Sequence, residues 1–157
     1  MKRGFTFLEA VICMVILGFI ALGIYNVLNV GDMVWRSEMV MASLQEEVRR
    51  SLDGMVREIR QAQPPVTITG GNRIDFTIPQ VSGTISYYLD DFDSDGVSDD
   101  LVREYPSGTK KLLAKDISSL SFSPSGDVVS IALQAQRVSR GRNLSFSLKQ
   151  KVRLRNG

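Results

Sequence analysis

The sequence predicts an α+β protein in which a long N-terminal helix packs on an antiparallel β-sheet domain. Three observations predict this class. Residues 5–30 form an almost uninterrupted apolar run, residues 31–63 repeat apolar side chains every three or four positions, and residues 64–157 alternate apolar with polar side chains in short segments. At 157 residues, 43% of them hydrophobic, the chain has room for one small domain besides the apolar run.

The N-terminal run carries one charge, Glu9, and is preceded by Lys2, Arg3 and Gly4. The run is long enough to span a membrane, and it is too long for the apolar core of a secretory signal peptide. An ionised carboxylate in such a segment costs roughly a few kcal/mol unless it is paired. Cleavage after Gly4 would create a cationic amino terminus at Phe5, which Glu9 of a neighbouring copy could neutralise. We therefore expect Glu9 to favour assembly of several copies and to set their register.

Residues 2–9, with the sequence Lys-Arg-Gly-Phe-Thr-Phe-Leu-Glu, and the apolar run after them resemble the class III signal of type IV prepilins and type II secretion pseudopilins. The resemblance implies that prepilin peptidase removes the leader, residues 1–4, that Phe5 is N-methylated, and that Glu9 pairs with a neighbour's amine. The implied partners are prepilin peptidase, other pilin or pseudopilin subunits and an inner-membrane assembly platform.

The same resemblance and the two basic residues at the start predict the location of the chain. Basic residues favour the cytoplasmic side of a membrane. We expect a single pass through the bacterial inner membrane by residues 5–30, with the C-terminal domain outside the cytoplasm, and later a place in a filament in the periplasm or on the cell surface.

An amphipathic helix is predicted for residues 31–63. Its apolar positions are Val34, Met41, Leu44, Val48, Leu52, Met55, Val56 and Ile59. The spacing of three, four or seven places them on one face, which is most simply a core face. Pro64 and Pro65 are expected to end the helix, so that one helix covers residues 5 to about 62.

Eight segments after the prolines have the alternation typical of half-buried strands. They are residues 66–69, 73–79, 84–90, 101–105, 110–115, 117–123, 128–134 and 145–155. The last alternates most clearly, with Phe146 and Leu148 on one side and Lys149 and Lys151 on the other. An antiparallel sheet lying against the helical stripe would bury both apolar surfaces.

Six aspartates lie between residues 90 and 100, a stretch called here the acidic segment. Three of them, at alternate positions before Gly96, match the opening of a calcium loop. An EF-hand would need a bidentate Glu where this chain has Val102, and strand patterns rather than helices flank the stretch. A shorter calcium-binding hairpin and a solvated acidic loop are both open. The candidate calcium ligands are Asp91, Asp93, Asp95, Asp99 and Asp100.

Seven basic residues and no acidic one follow Asp127. Such a surface could bind DNA, an acidic neighbouring subunit or anionic headgroups. However, no series of aromatic side chains, which would stack on bases, accompanies it. Without Lys2 and Arg3 the basic and acidic residues are equal in number, at 17 each. We expect a polar strand face that keeps the sheet edge soluble, and no nucleic-acid partner.

Catalytic residues are not predicted. The chain has no His, and its single cysteine, Cys13, lies in the apolar run. No Gly-rich phosphate loop is present, and the carboxylates cluster in one stretch. We therefore expect a protein that is not an enzyme.

The middle of the chain resembles the strand sequence of J-type pseudopilins and W-type minor pilins. The resemblance lies in residues 87–89, 101–104, 112–114 and 117–122. It implies a minor subunit at the filament tip or in the priming of assembly. The alternative is a free-standing, membrane-anchored calcium-binding or sensor domain. Gly4 and Glu9 favour the filament subunit, because an anchor does not need them.

Overall fold

The computed structural model describes residues 7–139 and 141–155. In these residues a single long helix precedes eight strands, which confirms the predicted α+β class. The elements are α1 Phe7–Arg60, β1 Gln63–Thr69, β2 Arg73–Ile78, β3 Val81–Asp90, β4 Asp100–Glu104, β5 Lys110–Ala114, β6 Ile117–Ser125, β7 Val128–Ser139 and β8 Arg142–Arg153. Each of the eight predicted strands corresponds to one of these elements.

Helix α1 ends earlier than the prolines, at Arg60. Its end is closed by short-range bonds, in which the amides of Gln61 and Ala62 donate to carbonyl oxygens three residues before them, each at 3.0 Å. Pro64 and Pro65 were expected to separate helix from sheet, but they lie inside β1. A strand tolerates prolines there because β1 is an edge strand and its pairing with β2 is irregular between residues 63 and 67.

The strands form two sheets, where the sequence suggested one. The first has five strands in the order β1-β2-β3-β4-β5, the second has three in the order β6-β7-β8, and all neighbours are antiparallel. The break falls at residues 115 and 116, where Asp116 has a φ of 59°. A non-glycine residue rarely adopts this left-handed conformation, and after it β6 pairs with β7 in a new sheet.

The chain divides after Val40 into two compact units. The second unit contains a hydrophobic core built from α1 and from both sheets. Its most deeply buried side chains include Leu44, Val48, Met55, Ile59, Ile74, Phe76, Tyr87, Leu101, Ile131 and Leu133. The predicted helical stripe is therefore a core face from Leu44 onward. Val34 was placed on the same stripe, but it lies in the first unit and its side chain is 45% exposed.

Polar contacts fix the end of α1 to the five-stranded sheet. The hydroxyl of Tyr87 in β3 donates to Glu58 Oε2 at 2.8 Å, and Arg103 Nε in β4 donates to the same oxygen at 2.9 Å. Burial, followed by the charge of Glu58, raises the pKa of Tyr87 well above its ordinary value. Tyr87 therefore acts as a neutral donor to a carboxylate that Arg103 also neutralises.

Candidate functional site

The first unit presents the most apolar surface of the described chain. Large hydrophobic side chains are exposed along α1 from Phe7, at 87%, through Phe19, at 70%, to Met39, at 58%. An 18-residue window of this helix has a mean hydropathy of 2.6, and none of that window is buried. By length and composition α1 can cross a membrane. A surface of this kind needs lipid or other apolar helices around it.

Glu9 lies in the first turn of α1 as the structure describes it, and it is exposed. A carboxylate at this end of a helix is favourably placed toward the helix dipole. The predicted processing residues Gly4 and Phe5 lie outside the described residues. Cys13 follows Glu9 by about one turn and is exposed.

The acidic segment forms the connection between β3 and β4. Strand pairing continues as far as Asp90 opposite Asp100, so the residues between them make a long hairpin loop. The chain turns in the middle of the loop through two left-handed residues, Ser94 at a φ of 62° and Gly96 at 92°. The predicted strands on both sides of the acidic segment are thus confirmed, and glycine fits the sharp turn because it lacks a Cβ.

Three of the predicted ligands come together in this loop. Asp91, Asp93 and Asp95 each offer a carboxylate oxygen, and these oxygens lie within 4.8 Å of one another. The backbone amides of Asp95 and Gly96 donate to the two oxygens of Asp91 at 2.9 and 3.0 Å, which fixes the orientation of that carboxylate.

A lysine that the sequence did not single out also contacts the loop. Lys115 Nζ donates to Asp93 Oδ2 at 2.7 Å. This hydrogen bond lowers the pKa of Asp93 below its usual range. Lys115 lies 22 positions further along the chain, and its approach follows from the folding of β5 beside β4, which no local pattern reveals.

Asp99 and Asp100 are not part of the group of three; Asp99 is half-buried and Asp100 is buried. Burial raises the pKa of Asp99, and the charges of Asp95 and Asp100 raise it further. Asp100 is only 1% exposed. Its Oδ2 accepts a hydrogen bond from the backbone amide of Asp93 at 3.2 Å, while its Oδ1 is buried without a hydrogen-bond partner among the described residues.

The basic C-terminal residues of the described chain lie in two kinds of surroundings. Lys149, Lys151 and Arg153 lie on the exposed side of β8, as the alternation predicts. Arg137 instead forms ion pairs, at 2.6 Å to Asp116 and at 3.6 Å to Glu47 of α1. The exposed lysines and arginine fit a polar strand face.

The described chain thus combines an exposed apolar helix segment, with Glu9 in its first turn, and an α+β domain. Residues 1–25 match the family model described as the prokaryotic N-terminal methylation motif. The match supports a class III signal of the pilin type, which implies processing by prepilin peptidase and assembly with other pilins. Comparisons with curated proteins and with solved structures gave no match.

Proposed function

We propose that this protein is a minor pilin or type II secretion pseudopilin, a structural subunit that enters a filament through α1. One coincidence carries the proposal. The methylation motif occupies residues 1–25, and the part of α1 that belongs to the first unit, from Phe7 onward, exposes its apolar side chains instead of burying them on one stripe. A membrane anchor explains the apolar surface, and filament assembly explains both the surface and the motif.

The chemistry of assembly follows from charge. While the subunit waits in the inner membrane, α1 spans the bilayer and the α+β domain lies outside the cytoplasm. After prepilin peptidase cuts behind Gly4, the amine of Phe5 is a cation in an apolar environment, and Glu9 of a neighbouring subunit neutralises it. Pairing two charges in a low-dielectric medium is strongly favoured over leaving either alone. The ion pair between Phe5 and Glu9 therefore favours incorporation of the subunit into the filament, and it fixes the axial offset between neighbouring subunits.

Strand positions support a place at the tip or in priming. The four segments that resemble J-type pseudopilins and W-type minor pilins fall on β3, β4, β5 and β6, so the resemblance follows consecutive elements of the fold. A subunit of this group is a structural protein that nucleates a filament with other subunits on the assembly platform, and it has no catalytic role.

The test uses cells that carry the complete assembly system. We expect Glu9→Ala to insert in the membrane and to be processed normally, but to be depleted at least tenfold from sheared filaments, as measured by immunoblot. Glu38→Ala is the matched control, because Glu38 is another exposed glutamate of α1 and lies beyond the motif. Gly4→Leu should instead accumulate as the uncut precursor, which mass spectrometry distinguishes from the mature chain.

Two results would contradict the proposal. Filament incorporation of Glu9→Ala at the level of the wild type would exclude the pairing role. A wild-type protein that is processed but never found with filaments, or cross-linked to other subunits, would instead identify a free-standing membrane-anchored domain.

A further inference from the structure

The oxygen positions in the acidic segment fit a cation of about the size of calcium. Calcium binds oxygen ligands at about 2.3–2.6 Å, so two ligands on opposite sides of the ion lie at most about 5 Å apart. The oxygens offered by Asp91, Asp93 and Asp95 lie within 4.8 Å of one another. Three carboxylates so close together repel one another, and a divalent ion between them would replace repulsion by attraction.

Asp100 provides an independent indication of a ligand. A buried carboxylate oxygen without a hydrogen bond is costly, and native proteins rarely leave one unexplained. Asp100 is 1% exposed and its Oδ1 has no partner within the described part of the chain. Its other oxygen accepts a hydrogen bond from the backbone amide of Asp93 at 3.2 Å, so the carboxylate lies beside one of the three clustered aspartates.

We propose that the β3–β4 hairpin binds one calcium ion through Asp91, Asp93 and Asp95, and that the buried carboxylate of Asp100, which lies beside Asp93, supplies a further oxygen when the ion is bound. The donor set is all carboxylate oxygen, which suits calcium and not the softer transition metals. The inference concerns the loop alone and does not depend on the proposed place of the protein in a filament.

The ammonium group of Lys115 competes with calcium for the carboxylate of Asp93. This ammonium group is 2.7 Å from Asp93 Oδ2 and neutralises part of the charge that calcium would meet. Removing this lysine charge strengthens calcium binding, whereas a loop that is only a solvated acidic turn gains nothing from the change. Lys115→Gln is therefore expected to raise the calcium affinity, whereas the aspartate variants are expected to lower it.

Binding is tested on the full chain, purified in a non-ionic detergent and freed of metal with a chelator. Calorimetric titration with CaCl₂ to about 10 mM covers the affinity range of extracellular calcium modules. We expect one saturable site, and at about 100 times the dissociation constant a rise of roughly 5–10 °C in the unfolding midpoint. A titration with CaCl₂ that gives neither a saturable heat nor a shift of the unfolding midpoint would overturn the proposal. So would a midpoint shift of the same size with MgCl₂ at the same concentration.

The variants separate a metal site from a merely structural loop. Asp93→Asn and Asp100→Asn should weaken calcium binding at least tenfold, Lys115→Gln should strengthen it several-fold, and Asp53→Asn, an exposed aspartate of α1, should leave it unchanged. In chelator, Asp100→Asn should unfold at the wild-type midpoint or above it, because the amide removes a buried negative charge. Calcium affinities of the loop variants equal to that of Asp53→Asn would show that these residues do not hold the ion.

Discussion

Tyr87 joins the five-stranded sheet to the helix. Its ring is 1% exposed and stacks on Phe76 with a centroid distance of 6.1 Å, and its hydroxyl donates to Glu58 at 2.8 Å. Because burial and the charge of Glu58 raise its pKa, the hydroxyl keeps its proton and donates at every ordinary pH. Glu58 then receives one neutral and one cationic donor, since Arg103 binds the same carboxylate.

Removing this hydroxyl should be measurable. We expect Tyr87→Phe to lower the free energy of unfolding by about 1–2 kcal/mol, because a hydrogen bond to a charged group is lost while the ring packing is kept. Denaturant unfolding of the full chain in detergent, followed by near-ultraviolet circular dichroism, gives the difference. The control is Tyr88→Phe, whose hydroxyl bonds to Glu104 in a less buried place. Equal losses in both variants would contradict a special contribution from the Glu58 contact.

At the scale of single residues, contacts between residues that are close in the sequence could be predicted. The spacing of Asp91, Asp93 and Asp95 before Gly96 indicated the cluster that the structure contains. The contacts of Lys115 and the burial of Asp100 could not be predicted, because they depend on which strands become neighbours. The contact of Glu58 with Arg103, which lies 45 positions later, could not be predicted for the same reason.

At the scale of elements, periodicity predicts each strand but does not specify its partners. The eight strands and the amphipathic helix follow from alternation and from the three-and-four spacing. The division into two sheets falls between β5 and β6, where Asp116 has a left-handed conformation, and no local pattern predicts it. The exposure of Val34 could not be predicted either, because an apolar residue of α1 looks alike in the sequence whether it meets a core or remains exposed.

The helix offers a direct comparison between a core position and an exposed one. Met55 is fully buried in the second unit, while Met39 is 58% exposed in the first. We expect Met55→Ala to lower the free energy of unfolding by about 2–5 kcal/mol, because it removes buried contacts and leaves a cavity. Met39→Ala in detergent should change it by less than about 0.5 kcal/mol. Similar losses for both would mean that the core does not begin where the structure places it.

At the scale of the whole molecule, the apolar segment and the folded domain are separate in composition and in packing. The buried hydrophobic residues of the described chain begin at Leu44, within the second unit, which starts at Met41. The first unit, in contrast, exposes its apolar side chains. The sequence predicted this contrast in character, because the apolar run has no polar face and the later helix has one.

A chain that begins at Met41 should therefore fold without the apolar segment. It retains the core, both sheets and the contacts of Glu58, and its new amine precedes Glu46 and Glu47, which favour a helix start at that end. We expect a monomer that is soluble without detergent and unfolds cooperatively within a few degrees of the full chain, as measured by size-exclusion chromatography and thermal circular dichroism. The full chain should aggregate under the same conditions. A truncated chain that aggregates or melts without a cooperative transition would show that residues before Met41 contribute to the folded core.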